Sequence, residues 1–330
     1  MRSSFLVTGA VALLLCSAAA PAAAAEPGPD QDFTIEDTRI TESSGLAASR
    51  AHPGVYWTHN DQDQPRVFAV DSRTGRTVAT VTLSGVGTPR DMEAISVGPD
   101  GHVYVGDIGD NLGGSWDHVW VYRFPEPKTL KDQTVRATQY DVKYADGPRD
   151  AEALMVHPKT GRVYIASKHE DGGGLYEGPA KLTAKGTNTF RRVAEVPWVT
   201  DGAFSPDGGH LLLRGYLMAR VYAWNGGRLG ADRSVGAPFQ GQAESVSYTL
   251  DGSAAMFGSE GTGSRVLRVE LDGDSGGGPS GSPPAGSGGT DADAGGRGGE
   301  KDGGGFGLGI VVLAVATAAV VGFKRLLRRR

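Results

Sequence analysis

The sequence predicts an all-β fold, a β-propeller of four-stranded blades, followed by a tether and one C-terminal transmembrane helix. Three observations predict it. A unit of two apolar strands joined by a Pro/Asp/Gly turn recurs roughly every 50 residues between positions 26 and 272. Within that stretch apolar residues alternate at strand spacing and helical periodicity is absent. Outside it, each end carries an apolar segment of the targeting or membrane type.

The repeat is plainest in two units. One reads Asp91-Met92-Glu93-Ala94-Ile95, then Pro99-Asp100-Gly101, then Val103-Tyr104-Val105. The next reads Asp150-Ala151-Glu152-Ala153-Leu154, then Pro158-Lys159-Thr160-Gly161, then Val163-Tyr164-Ile165. Looser copies begin at Glu42, Asp201 and Glu244. A third strand follows each pair, as at Arg66–Val70, Val119–Phe124 and Arg220–Trp224, and a more polar outer strand follows that, as at Thr77–Leu83. The count is five blades, or six if one long unit hides two. The last unit ends after its third strand, and Phe33–Ile40 is a strand left over at the N-terminus. It is expected to close the ring by supplying the missing outer strand, which removes open sheet edges.

The ends set the topology. Residues 1–25 run from Arg2 through an apolar stretch to Ala22-Ala23-Ala24-Ala25, the order of a cleaved secretory signal peptide. Cys16, the one cysteine, lies inside it, so the mature chain is expected to hold neither a disulfide nor a thiolate metal cluster. Residues 273–305, rich in Gly, Ser and Pro, bury too little apolar surface to fold and form a linker with a typical span of ~30 Å. The stretch Phe306–Phe323, roughly 18 residues or ~27 Å as a helix, matches the hydrocarbon thickness. Residues 324–330 hold Lys324, Arg325, Arg328, Arg329 and Arg330, a basic tail that stays on the cytoplasmic side. The propeller is therefore expected outside the cell membrane on a single-pass anchor. The formal charge of −5 argues against nucleic acid as a partner.

The string Gly106-Asp107-Ile108-Gly109-Asp110-Asn111 and the paired Asp-x-Glu-Ala units resemble secreted bacterial WD40-like propellers. They are similar to the "esterase-like activity of phytase" group, over the whole domain. The resemblance implies a propeller that uses calcium, with hydrolysis as the accompanying activity to test.

Threading of a blade locates the chemistry. The first strand runs down the channel and the second returns, so residues before strand one and after strand two gather at one mouth. That places Glu42, Asp91, Glu93, Asp150, Glu152, Asp201 and Glu244 with His59, Asp61, Asp107, Asp110, Asn111, Lys168, His169 and Arg214. Converging carboxylates repel one another unless a hard cation or basic side chains neutralise them. The expected cation is Ca²⁺, held by Asp107, Asp110, Asn111 and Glu93. The basic partners are Arg90, Arg149, Lys168 and Arg214. Ligand contacts are expected from Glu93, Glu152, Lys168, His169, Arg214 and Glu244, with Trp116, Trp198 and Tyr216 as wall residues. The leading function is binding of a small-molecule or surface ligand at this mouth. The competing readings are a Ca²⁺-dependent phosphoester or carboxyl-ester hydrolase and a structural surface spacer.

Overall fold

The computed structural model describes residues 30–111 and 113–271. The predicted signal peptide, linker, membrane span and basic tail lie outside them. Among the described residues no helix is long and apolar enough to cross a membrane, and all regular structure is strand.

The strands form antiparallel meanders. The first comprises β2 (Ser43–Ala48), β3 (Val55–Asn60), β4 (Arg66–Asp71) and β5 (Thr77–Ser84). The second comprises β6 (Met92–Val97), β7 (His102–Asp107), β8 (Val119–Pro125) and β10 (Thr138–Tyr144). The third comprises β11 (Ala151–Val156), β12 (Val163–Ser167), β13 (Gly173–Glu177) and β14 (Thr187–Val196). The fourth comprises β15 (Asp201–Phe204), β16 (His210–Arg214), β17 (Ala219–Trp224) and β18 (Leu229–Val235). The last comprises β19 (Ser245–Tyr248), β20 (Ala254–Gly258), β21 (Arg265–Glu270) and β1 (Phe33–Thr34).

First strands pack side by side in chain order, β2 on β6, β6 on β11, β11 on β15 and β15 on β19, and β19 returns to β2. Sheets standing outward from such a ring make a β-propeller. Apolar clusters fill the gaps between successive sheets. Trp57 and Val67 of the β2 sheet pack with Met92 and Phe124 of the β6 sheet. Tyr56 and Phe68 pack with Met256 and Val266 across the seam between the first and last sheets. Polar side chains on first strands add staples. Ser96 Oγ accepts the Val156 N–H at 3.1 Å, Asp201 Oδ2 accepts the Val246 N–H at 2.7 Å, and Ser247 Oγ accepts the Ala48 N–H at 3.0 Å.

Two features differ from the sequence expectation. The strand expected over Phe33–Ile40 pairs with β21 only through Phe33 and Thr34. Asp37 then caps a turn on the Arg39 N–H at 3.0 Å, and Ile35 and Ile40 are buried as plugs rather than strand residues. The outer rim also carries parallel pairs. A strand β9 (Gln133–Arg136) runs parallel to β5, and β10 runs parallel to β14, which fuses the second and third meanders along their edges.

Candidate functional site at the acidic channel mouth

The Asp-x-Glu-Ala repeat has a backbone cause. Met92 pairs with Asp107 and Ala94 with Gly106, so Glu93 has no residue opposite it. Ala151 pairs with Ser167 and Ala153 with Ala166, so Glu152 is likewise the extra residue of a β-bulge. A bulge turns its extra side chain out of the regular alternation. Here it happens at the entrance of two adjacent first strands, so both glutamates reach the same opening. Ser44 and Gly45 occupy the bulge of the β2 sheet, opposite His59.

Carboxylate oxygens of Asp61, Asp91 and Glu93 all lie within 4.8 Å of one another, and all three residues are buried. Asp61 enters from the end of β3, where its carbonyl accepts the Met92 N–H at 2.9 Å and ties the first two sheets together. Asn111 donates its amide N–H to Asp91 Oδ2 at 2.7 Å. Gly109 lies against this group. A Cβ there would stand 2.6 Å from Asp91 Oδ2 and 2.7 Å from Glu93 Oε1, so any larger residue would invade the carboxylates. Burial, followed by the charges of Glu152, Asp91 and Asp61, pushes the Glu93 carboxyl well above the ordinary range, with Lys168 pulling weakly the other way.

Beside this group stands a mixed pair. Lys168 Nζ donates to Glu152 Oε1 at 2.6 Å and lies 5.6 Å from the Tyr216 ring centre. Burial alone would lower the Lys168 ammonium, but Glu152, Tyr216, Glu244 and Glu93 together hold it well above its usual value. Tyr216 in turn meets Trp198 edge to face at 5.4 Å. Glu93, Glu152, Lys168, Glu244 and Tyr216 therefore share one electrostatic neighbourhood, drawn from the second, third, fourth and last sheets.

Other expected site residues are committed elsewhere. Asp107 accepts the Asp91 N–H at 2.8 Å, the Arg90 N–H at 3.1 Å and the Tyr122 hydroxyl at 2.5 Å, so its carboxylate shapes the turn. Asp110 accepts the Ser115 and Trp116 N–H groups and the Ser115 hydroxyl, while its own N–H donates to Asp150 Oδ1 at 3.1 Å. It sits beside the mouth as a loop former. His169 is exposed and accepts the Asp171 N–H at 3.2 Å within its own turn. Arg214 is fully buried. Its Nη1 donates to the Ser245 and Gly258 carbonyls, both at 2.6 Å, and its Nη2 donates to Gln240 Oε1 at 2.8 Å, joining the last two sheets instead of facing a ligand. Asp61 completes the tight carboxylate group in place of Asp107 and Asp110. Its position one residue past a second strand was the available signal.

The expected basic partners are also diverted. The Arg90 guanidinium is sandwiched between Trp116 at 4.1 Å and Trp120 at 3.8 Å and donates to the His118 carbonyl at 2.9 Å. Arg149 pairs with Asp146 at 3.0 Å and with the Tyr176 hydroxyl at 2.8 Å. Of the predicted cations, Lys168 makes an ion pair at the mouth, with Glu152. Carboxylates as close as those of Asp61, Asp91 and Glu93 repel one another, which favours a proton or a bound cation among them. The donors are oxygens throughout, the ligand type of Ca²⁺ and Mg²⁺ rather than of zinc or copper.

Replacing Gly109 by alanine is expected to displace Asp91 or Glu93 and to remove cation binding without unfolding the protein. Calorimetric titration with Ca²⁺ checks this, and an unchanged isotherm for G109A would show that the cradle is not used.

The sequence matches no protein-family profile and no curated protein. Among solved structures, it is similar to a gluconolactonase from Xanthomonas campestris at 16% identity, over 72% of this chain and 78% of that one, with a TM-score of 0.45. It is similar to the PQQ-bound aldose sugar dehydrogenase from Streptomyces coelicolor at 13% identity, over 73% and 99% of the two chains, with a TM-score of 0.42. A third likeness is to U3-55K, at 10% identity over 74% and 100%, with a TM-score of 0.38.

Proposed function

We propose that the chain is an exported, membrane-tethered propeller of five blades that holds a hard divalent cation, Ca²⁺, at Asp61, Asp91 and Glu93 and engages its ligand at that mouth. The observation that carries this is the buried group of three carboxylates whose oxygens lie within 4.8 Å of one another. Ca²⁺ takes six to eight oxygens, so three carboxylates leave room for water and for oxygens of a ligand. The bound cation would supply positive charge to ligand oxygens. The chain's own residues would do the rest: Glu152 and Lys168 present an acceptor and a donor beside it, and Tyr216 with Trp198 forms an aromatic wall.

Ca²⁺ at about a hundredfold excess over its dissociation constant stabilises a protein by ~2.7 kcal/mol, which for a domain of this size is a rise of roughly 5–10 °C in melting temperature. That rise is expected for the full chain, is expected to vanish with chelator, and is expected to be absent in Asp91→Asn. No shift at millimolar Ca²⁺ would remove the cation from the proposal. Hydrolysis is the second reading, favoured by the carboxyl of Glu93, which burial raises above its ordinary range, next to the Lys168–Glu152 pair. Turnover of a phosphoester or carboxyl ester by the Ca²⁺-loaded protein, lost in Glu93→Gln, would establish it.

A further inference from the structure

The face opposite the acidic mouth carries a cavity of different character. It has a volume of about 430 Å³ and lies between the β6–β7 turn and the β11–β12 turn, one strand length or roughly 20 Å from Glu93. Its charged lining is Asp100, Arg123, Lys159 and Lys181, three cations against one acid in a chain whose formal charge is −5, and Tyr104 and Tyr140 stand beside them.

These two turns differ from those of the last two sheets. In the β15–β16 turn Asp207 caps its own backbone, accepting the Ser205 hydroxyl at 2.5 Å and the Gly209 N–H at 2.9 Å. Asp251 does the same in the β19–β20 turn, accepting the Thr249 hydroxyl at 2.6 Å and the Ser253 N–H at 3.0 Å. The two turns at the cavity abandon that device. Asp100 instead accepts the Tyr104 hydroxyl at 2.9 Å and Arg123 Nη2 at 2.6 Å, which fixes both along the wall. In the facing turn the acid is replaced by Lys159, and His157 Nδ1 takes over the capping, accepting the Lys159 and Thr160 N–H groups at 3.3 Å each. The Lys159 side chain is thereby released from any structural duty and is exposed, as is Lys181 on the β13–β14 connection.

We infer that this cavity is a second binding site, for a dianionic ligand of sugar size, a phosphate monoester. Lys159 and Lys181 supply the charge, the ordered Arg123 and the Tyr140 hydroxyl supply fixed donors, and the Tyr104 and Tyr140 rings supply the wall for the body of the ligand. The site is independent of the cation at the mouth.

Calorimetric titration of the full chain tests this with glucose 6-phosphate, inorganic phosphate and glucose as probes. Saturable binding of glucose 6-phosphate, weaker binding of inorganic phosphate and none of glucose are expected. The double substitution K159E/K181E is expected to weaken glucose 6-phosphate binding by about a hundredfold or more while leaving the melting temperature in place, since both side chains are exposed. Glu93→Gln and chelator are expected to leave it unchanged. Absence of saturable binding, or binding that survives K159E/K181E, would overturn the inference. So would binding that needs Ca²⁺ or Glu93, because the anion would then sit at the mouth.

Discussion

Replacing Arg214 by alanine is expected to destabilise the protein by about 3–5 kcal/mol, the cost of breaking a buried hydrogen-bonded charge site. The guanidinium is fully buried, crosses from β16 to the last sheet, and satisfies two backbone carbonyls and the Gln240 amide oxygen at once. It also lies 5.1 Å from the Phe257 ring centre. Alanine leaves those acceptors facing a void. Lysine would restore charge but not the forked geometry, so an intermediate loss is expected for Arg214→Lys. Since a domain is stable by only about 5–15 kcal/mol, the alanine variant should show a large drop in denaturant midpoint or fail to accumulate. A midpoint within error of the parent would mean that the last two sheets are held without Arg214, by packing and by bonds such as that from the Val246 N–H to Asp201.

Glutamine at position 93 is expected to have opposite effects with and without metal. Because the folded state raises the Glu93 carboxyl above its ordinary 4.5, the folded form binds that proton more tightly than the unfolded form. The resulting stability is complete below pH 4.5 and is lost as pH rises through the folded value, at ~1.4 kcal/mol for each unit of separation. Metal-free Glu93→Gln should therefore be more stable than the parent at pH 7, and the difference should close toward pH 4.5. With Ca²⁺ the order should reverse, because glutamine cannot supply the negative ligand. On the acid side His59 acts separately. Burial lowers its imidazole from 6.5 to about 4, so stability is expected to fall as pH drops from 6.5 through about 4. Urea unfolding of both proteins across that range, with Ca²⁺ and with chelator, measures all of this. A difference between parent and Glu93→Gln that stays flat above pH 4.5 without metal would show that Glu93 is charged and compensated by neighbours.

The radial architecture was legible because each sheet repeats the same strand–turn–strand pattern, and Phe33 does reach the final sheet at Val266 as expected. The meeting of Glu93 with Glu152 followed from the same threading. What the sequence hides is how each carboxylate is spent. Asp91 and Asp107 look alike as letters, yet Asp107 is consumed by two backbone N–H groups and a tyrosine hydroxyl while Asp91 opens toward Asp61 and Glu93. Arg214 reads as an anion clamp until the two carbonyls of the last sheet claim it. These outcomes depend on loop closure across sheets, which leaves no periodic trace. The outer parallel pairs escaped notice for the same reason, since β9 belongs by sequence to the second sheet and by hydrogen bonding to the first.

Those rim pairs make the disc mechanically uneven. From β5 through β9, and again from β10 to β14, the circumference is laced by main-chain bonds, and past β1 the Glu36 N–H reaches the Gly75 carbonyl of the first sheet, whereas β18 ends its sheet with no strand paired beyond it among the described residues. Thermal breathing should then concentrate on the arc around β18, leaving the laced arc, with the carboxylate trio and the basic cavity, as the stiffer part of the wheel.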